Sequence, residues 1–474
     1  MDRRKLQNIK SGAWSRGLAL AKVSASASAR AAGHVLGSLF DNEDQRAEKL
    51  KALILSQVTA LTQELGMLKG SLMKVGQLLS MYGEHLFPPE VNAVLKSLQS
   101  QSAALAWSSI ETVLRAELGT ERIALLEIDP EPVACASLGQ VHRAVIRATG
   151  ERIALKIQYP GVDRAIDSDL ASLRRILSVS RLLPTGMGTD ALFSEVGEML
   201  HREVDFVQER AATERFRARL EGDARYRVAR TFPEFSTGRV LATEFLDGVA
   251  VDGPEVLGLA PERRNALALA ALELFFREVF VWGEVQTDPH FGNYRVAVGD
   301  PERGVPDQLI LLDFGAVREF PASFLGPYSR MALGTFRRDA AAIAQGAEDL
   351  HFLRADDTAE QRTHFAEVCM LFGEPFRAGA EHADVPGGLL SPSGEYDWGH
   401  SDLPMRAARS GARLAFAMKL RAPPREVVFL DRKLGGIFIF LSTLKTRVRG
   451  RELLERYLLG AQTGMDVRRA APRS

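Results

Sequence analysis

The sequence predicts an α+β chain of two lobes, a small antiparallel sheet followed by a mainly helical lobe, with a helical extension ahead of both. Three observations carry this. From about Val58 the apolar residues Leu61, Leu65, Leu68, Leu72, Val75 and Leu79 fall at alternating steps of four and three, which places one stripe on a helix. Further on, the β-rich runs "QVHRAVIRA" and "RIALKIQ" are joined by the short turn "TGE". Beyond Pro261 the pattern is mostly helical, broken only by "TDPHFGNY" and "QLILLDFGAV". A chain of 474 residues is long for one core and suggests about two or three folding units. The texture divides it into a leader (1–57), a helical extension (58–125), a sheet lobe with inserted helices (126–247) and a helical lobe (248–474).

Each element has a local reason. The leader carries basic residues and an Ala/Ser-rich stretch without an uninterrupted apolar core of signal-peptide length, and reads as an amphipathic or loosely ordered segment. The striped helix stops at "LFPPEV", where Pro88 and Pro89 break it. A second helix runs from about Ser108 to Leu118, with Gly119 as its C-cap. After the hairpin comes a long helical region, interrupted around "LLPTGMGTD" and resuming through "LFSEVGEMLHREVDFVQERAATERFRARL". Strands are expected at "VARTFPEF" and "RVLATEFL". The Gly-, Pro- and Asp-rich "PFRAGAEHADVPGGLLSPSGEYDWGHSDLP" reads as a long surface loop.

Composition excludes several function classes. Lys plus Arg and Asp plus Glu both number 60, so no whole-chain field draws the protein to nucleic acid. Cys135 and Cys369 lie far apart with no CxxC or Cys/His cluster, which argues against a structural zinc or a disulfide scaffold and makes a reducing cytoplasm the simplest compartment. The most apolar later segments, "LALAALELFFREVFVW" and "LGGIFIFLSTL", carry charges or fall short of the about 20 apolar residues that a membrane-spanning helix needs. No transmembrane helix is predicted.

The chemistry lies in four ordered pieces. Alone, Lys156 in "IALK" is an ordinary edge-strand lysine. It follows "SLGQV", in which Gly139 and Val141 supply the end of a phosphate-covering loop, while Ala134 and Ala136 stand where that loop would carry its first two glycines. Alanine there stiffens the backbone and alters how it meets phosphates. Downstream, Asp288 and Asn293 in "QTDPHFGNY" have the separation of a kinase catalytic loop, and "LLDFGAV" runs an apolar strand into Asp313. Phosphoryl transfer needs these residue types. An ammonium (Lys156) meets the α/β-phosphates, oxygen ligands (Asn293, Asp313) hold Mg²⁺, and a carboxylate (Asp288) orients the nucleophile. The lysine also needs a helix carboxylate. Glu203, Asp205 and Glu209 in "EVDFVQER" are the candidates, and Glu209 is the choice. "ATEFLDG" reads equally as a hinge between the lobes, with Glu244 near the adenine edge, or as an ordinary strand end. Gln286 and Thr287 stand in for the usual His and Arg, and no A-P-E tripeptide follows, so docking and regulation of the protein-substrate kind are not expected.

Together these residues resemble the UbiB/ADCK family of atypical, protein-kinase-like proteins associated with coenzyme Q biosynthesis, over most of the chain. "LMKVGQLLS" contains the KxGQ signature as Lys74, Gly76 and Gln77; "ACASLGQVH", including Ser137, resembles the alanine-rich loop; "EVDF" resembles the ExD motif at Glu203 and Asp205. The resemblance implies a protein-kinase-like bilobal fold with ATP and Mg²⁺ as cofactors. It implies a KxGQ extension over the site, with Lys74 reaching toward Glu203 and Asp205. It implies ATPase activity or small-molecule phosphorylation rather than phosphorylation of proteins in trans. The partners it implies are a lipid or quinone precursor and quinone-biosynthesis proteins, with peripheral membrane contact. No C-terminal transmembrane helices of the kind found in some bacterial members are predicted in this sequence, and Cys135 lies inside the alanine-rich loop. Two alternatives stay open: a phosphotransferase of the aminoglycoside or choline kinase type, and a nucleotide-gated, non-catalytic scaffold.

Overall fold

The computed structural model of the chain describes residues 104–136, 138–179, 189–418 and 424–459. The leader, the striped helix from Val58, the KxGQ residues Lys74, Gly76 and Gln77, and Ser137 lie outside the described residues.

In chain order, α1 (Trp107–Ala124) precedes the strands β1 (Leu126–Cys135), β2 (Gly139–Ile146) and β3 (Arg152–Gln158). Helices α2 (Val162–Val179), α3 (Thr189–Glu203) and α4 (Phe206–Leu220) follow, then β4 (Tyr226–Val228), β5 (Val240–Glu244) and β6 (Val249–Ala250). Next come α5 (Pro261–Phe276), a π-helical turn (Arg277–Trp282), β7 (Glu284–Gln286), β8 (Tyr294–Ala297), β9 (Gln308–Leu311) and β10 (Val317–Glu319). Helices α6 (Ala322–Arg337), α7 (Ala340–Asp349) and α8 (Ala359–Phe372), strand β11 (Tyr396–Asp397), helices α9 (Leu403–Ala417) and α10 (Arg425–Thr443), and strand β12 (Arg447–Val448) complete the set used below. Among the described residues no helix is long and apolar enough to cross a membrane.

Two compact units divide at Ala211/Ala212, the first also taking Arg230–Phe245. The first is built on an antiparallel sheet of order β1-β2-β3-β5. Its logic is clearest in β3, where Ile153, Leu155 and Ile157 are fully buried and the residues between them are not. Period-2 alternation sends those three side chains into a core with Ile110 and Leu114 of α1, Ile166 of α2 and Val196 and Leu200 of α3, and turns Lys156 to the other face. Each such aliphatic contributes about 1.5–3 kcal/mol on burial, so a one-residue slip of this strand is strongly disfavoured.

Local expectations in this unit need correction. Gly119 ends the first helical segment at φ 72°, ψ 168°, as expected, but a further short helical segment follows across that kink and runs on to Ala124. Glycine tolerates that left-handed backbone without stopping the chain's return to helix. The expected strand "VARTFPEF" straddles the two units and shrinks to the last residue of β4 in the second and, in the first, a single bridge at Thr231 and a 3₁₀ turn at Pro233–Phe235, because Pro233 removes a ladder donor. The helix after Thr189 breaks at Val204–Asp205, where the Asp205 carboxylate accepts from the backbone N–H groups of Val207 and Gln208 at 3.1 and 3.0 Å and so caps α4.

The second unit holds a mixed sheet of order β4-β9-β8-β6, in which β4 and β9 run parallel, and a two-stranded ribbon of β7 and β10. Its core helices are α5, which buries Leu267, Leu272, Phe275 and Phe276, and α10, which buries Phe429, Ile437, Phe438, Phe440 and Leu441. The stretch expected as a surface loop is irregular and mostly exposed or half-buried, but buried side chains anchor it. Tyr396 and Trp398 within it are fully buried, β11 pairs with β12, and the Tyr396 hydroxyl donates to Glu374 at 2.6 Å. Gly and Pro mark irregular backbone there, while the aromatic rings supply the burial.

Candidate active site

In the first unit, Lys156 lies on β3 between Val141 of β2 and Leu241 of β5. Its ammonium donates to both carboxylate oxygens of Glu209 at 2.6 and 2.9 Å, and its Nζ also sits 5.2 Å from the centroid of the Phe206 ring. Glu209 is on the first turn of α4 and only 2% exposed, against 19% for the lysine side chain. Of the three acids expected as partners, geometry selects Glu209: Glu203 closes α3, and Asp205 caps α4.

The alanine-rich segment is the tight connection of β1 to β2. Ala134 pairs with Val141, and the Ala136 N–H donates to the Gly139 carbonyl at 2.8 Å. Ala134 and Cys135 are exposed, Ala136 is half-buried, and Gly139 is buried. Gly139 is required by close approach, since a Cβ there would lie 2.4 Å from the Ile157 carbonyl oxygen. Glu244 ends β5, opposite Ile153, with its N–H donating to the Arg230 carbonyl at 2.8 Å.

In the second unit, Asp288, Asn293 and Asp313 come together around two short loops. The Asn293 amide donates to the Asp288 carbonyl at 3.0 Å, and the Leu312 N–H donates to the Asn293 carbonyl at 3.0 Å. Asp313 accepts from the Gly315 N–H at 2.9 Å, while Phe314 is buried with its ring 4.8 Å from that of Phe216. Asn293 and Asp313 line one cavity of about 10 Å³, together with Glu278, Gln286, Tyr294 and Lys433. An amide oxygen and a carboxylate are hard donors, and a pair of them fits a small dication that keeps water and phosphate oxygens as its other ligands.

The structure also explains Gln286 and Thr287. The Gln286 side chain accepts the Asp288 N–H at 3.1 Å and donates to the Asp313 carbonyl at 3.2 Å. Thr287 donates through both its N–H and its hydroxyl to the Ala316 carbonyl, at 3.1 and 2.8 Å. These two positions are struts between the Asp288 loop and the Asp313 loop.

Sequence reading missed the backing supplied by α10. Arg432 donates to Asp288 Oδ1 at 2.7 Å, Lys433 is buried against Glu278 at 3.2 Å, and Gly436 faces Pro289 so closely that a Cβ would lie 2.2 Å from the proline Cβ. Phe440 packs edge-on to Phe291 and Tyr294, at 5.9 and 6.0 Å between ring centroids. Burial pushes the Glu278 carboxyl up to about 7 even beside Lys433. Burial also opposes the charge on Lys433, yet Glu278 and Tyr294 hold that ammonium above its ordinary value.

A family profile described as "ABC1 atypical kinase-like domain" matches residues 97–347 of this chain. The chain belongs to the ABC1 atypical kinase-like family. This is the UbiB/ADCK grouping that the motifs resemble, and the kinase-like fold expected of it is the fold observed. Among curated relatives, the rat "Atypical kinase COQ8B, mitochondrial" is 31% identical over 410 residues, covering 85% of this chain and 73% of that protein. The Saccharomyces cerevisiae "Atypical kinase COQ8, mitochondrial" is 29% identical, covering 85% and 77%. The Caenorhabditis elegans "Atypical kinase coq-8, mitochondrial" is 29% identical over 84% of this chain, which spans about half (51%) of that relative's length. Among solved structures, the complex of Rv3197 with erythromycin from Mycobacterium tuberculosis aligns with a TM-score of 0.55 at 23% identity, covering 88% of this chain and 98% of that one. That likeness is one of fold. The ABC1 profile stops before α10, so the backing helix lies beyond the matched segment.

Proposed function

We propose that this ABC1-family chain binds Mg-ATP and acts as an atypical kinase-like ATPase that supports coenzyme Q or other isoprenoid-lipid biosynthesis, without phosphorylating proteins in trans. The observation that carries the reading is the bidentate Lys156–Glu209 pair, because a strand lysine fixed by a helix carboxylate is the part that phosphoryl transfer on a kinase-like fold must have in place. When bound, Mg-ATP supplies the γ-phosphoryl group and the dication neutralises the charge that develops on it.

The chain's own residues then take these roles. Lys156 pairs with the α/β-phosphates, and Glu209 keeps its ammonium aimed. Ala134, Ala136, Ser137, Gly139 and Val141 form the stiff loop along the nucleotide, and Glu244 borders the adenine. Asn293 and Asp313 hold Mg²⁺ through oxygen atoms, and Asp288 orients the attacking oxygen. The KxGQ residues Lys74, Gly76 and Gln77 act with Glu203 and Asp205 as a regulatory cover. The domain boundaries read from the sequence are proposed with these roles, as are a lipid or quinone-precursor acceptor, quinone-biosynthesis protein partners and peripheral membrane contact. The coenzyme Q assignment rests on the family and on relatives named COQ8.

The test is Mg²⁺-dependent ATP hydrolysis by the purified full chain, with and without anionic lipid vesicles, beside Asp288→Asn and Lys156→Arg. The arginine variant keeps a cation next to Glu209 and so avoids stranding a buried carboxylate. Vesicle-stimulated hydrolysis that both substitutions abolish is the expected result. Normal turnover in both variants would remove the site assignment. One observation favours a second reading, a nucleotide-gated module without turnover: Arg432 already engages the Asp288 carboxylate. Tight nucleotide binding with no hydrolysis under either condition would select it.

A further inference from the structure

We propose that Lys433, held by Glu278, is a positioning residue that pins both ends of the Gln286–Tyr294 segment and, through Gln286, sets Asp288 and Asp313 relative to each other. Its bearing on catalysis rests on the phosphoryl-transfer reading of Asp288 and Asp313; the positioning itself does not. The Lys433 ammonium, 1% exposed, has three oxygen partners from three different elements: Glu278 Oε2 of the π-helical turn at 3.2 Å, the Tyr294 hydroxyl of β8 at 3.0 Å and Gln286 Oε1 of β7 at 3.5 Å. Gln286 precedes Asp288 and Tyr294 follows Asn293, so a single cation touches the chain on both sides of the loop that carries the two site residues.

The contact with Gln286 matters most. A carboxamide is nearly symmetrical in shape, and its two ends differ only in which one donates. With the Lys433 cation beside Oε1, the oxygen is held toward Lys433 and the Asp288 N–H, which leaves Nε2 to donate to the Asp313 carbonyl. Loss of the cation removes one of the three contacts that favour that orientation and leaves the bonds to the Asp288 N–H and the Asp313 carbonyl to hold it alone. Stability alone does not call for such an arrangement, since apolar residues of similar volume serve a buried site as well as an ion pair or better. Lys433, Gln286 and Tyr294 also line the cavity shared with Asn293 and Asp313, which puts the ion pair directly behind those two residues.

The experiment uses the full chain. The double variant Glu278→Gln/Lys433→Met removes both charges together and leaves no lone buried ion, and Tyr294→Phe removes one partner while keeping the pair. Hydrogen exchange by mass spectrometry on nucleotide-free protein reads the segments 284–294 and 311–318 against the β1–β3 sheet. In the double variant both segments exchange faster by about tenfold, the equivalent of one net hydrogen bond, while the sheet is unchanged. In Tyr294→Phe the acceleration is smaller and confined to 284–294. With ATP, the Mg²⁺ concentration for half-maximal hydrolysis rises about tenfold in the double variant, as for loss of a group that orients a metal ligand. Faster exchange in both segments, in a protein whose wild type hydrolyses no ATP, upholds the positioning role and removes the phosphoryl-transfer reading. Unchanged exchange in both segments of a folded double variant overturns the proposal. If the double variant does not fold, unchanged exchange across 284–294 in Tyr294→Phe overturns it equally.

Discussion

Arg432 Nη2 donates to Asp288 Oδ1 at 2.7 Å, and the two side chains are only 21% and 16% exposed. A carboxylate so held has one oxygen committed to a guanidinium that a helix carries. Arg432→Met therefore lowers kcat by about tenfold, the effect of loosening an orienting contact, while the Kd for nucleotide changes little. Single-turnover kinetics beside a nucleotide titration separates the two quantities. A rise in kcat would contradict this and make Arg432 a restraint on Asp288.

Adjacent glycines in α10 give opposite expectations. At Gly435 an added Cβ meets nothing within 4 Å, so Gly435→Ala stabilises the protein by about 1 kcal/mol through helix propensity and leaves turnover intact. At Gly436 the same methyl group would stand 2.2 and 2.5 Å from Pro289 Cβ and Cγ, next to Asp288. Gly436→Ala must separate α10 from the loop, and kcat falls by more than tenfold, in the range of a misplacement of about 1 Å. Thermal melts and steady-state rates on the pair check this. Equal behaviour of the two variants would contradict it.

Gly139→Ala tests the alanine-rich segment from its other end. The clash partner is the Ile157 carbonyl at 2.4 Å, a backbone atom in the β2–β3 ladder, so relief requires strand separation rather than a rotamer change. We expect about 1–3 kcal/mol of destabilisation, read as a lowered urea midpoint. A wild-type midpoint would mean that the ladder yields at Gly139 without loss.

The residues legible in the sequence were those whose spacing is local. Lys156 stands out because β3 alternates, and Asp288, Asn293 and Asp313 because their short separations and chain order match a kinase-type catalytic loop and the strand that follows it. Glu209 was one of three acids within seven residues, and packing distinguished it: Asp205 is consumed as a helix cap, while Glu209 turns inward to Lys156. Arg432, Lys433 and Gly436 were not legible because their partners lie about 140 residues away, and no periodicity encodes such a contact. One signal was present, the charged triplet Asp431-Arg432-Lys433 followed by Gly435 and Gly436 in the apolar run "FLDRKLGGIFIFL", matched by Arg277 and Glu278 inside the apolar "LFFREVFVW". Charges in such runs are buried at a cost unless they meet each other. In the expected surface loop, the buried Tyr396 and Trp398 were missed for the converse reason, since Gly and Pro report backbone irregularity and say nothing of which side chains anchor it.

The first unit should lose stability in mild acid through His142. This side chain is fully buried on β2, its Nε2 lies 2.9 Å from the Gln140 amide nitrogen, and its Nδ1 lies 2.8 Å from the Asp129 carbonyl. An amide nitrogen only donates and a carbonyl only accepts, so the ring is neutral with its proton on Nδ1. Burial lowers its pKa, outweighing the hydrogen bond to Asp129. The unfolded chain therefore binds a proton before the folded chain does. The contribution to stability is complete above the unfolded value of about 6.5 and is lost as pH falls below it toward the lowered folded pKa. Melting temperatures measured from neutral pH down to about pH 5 should decline, and the decline should be shallower in His142→Gln, which cannot take up the proton. Parallel pH profiles for the two proteins would show that His142 titrates alike in the folded and unfolded chain, and the acid sensitivity would then have to be sought in another group.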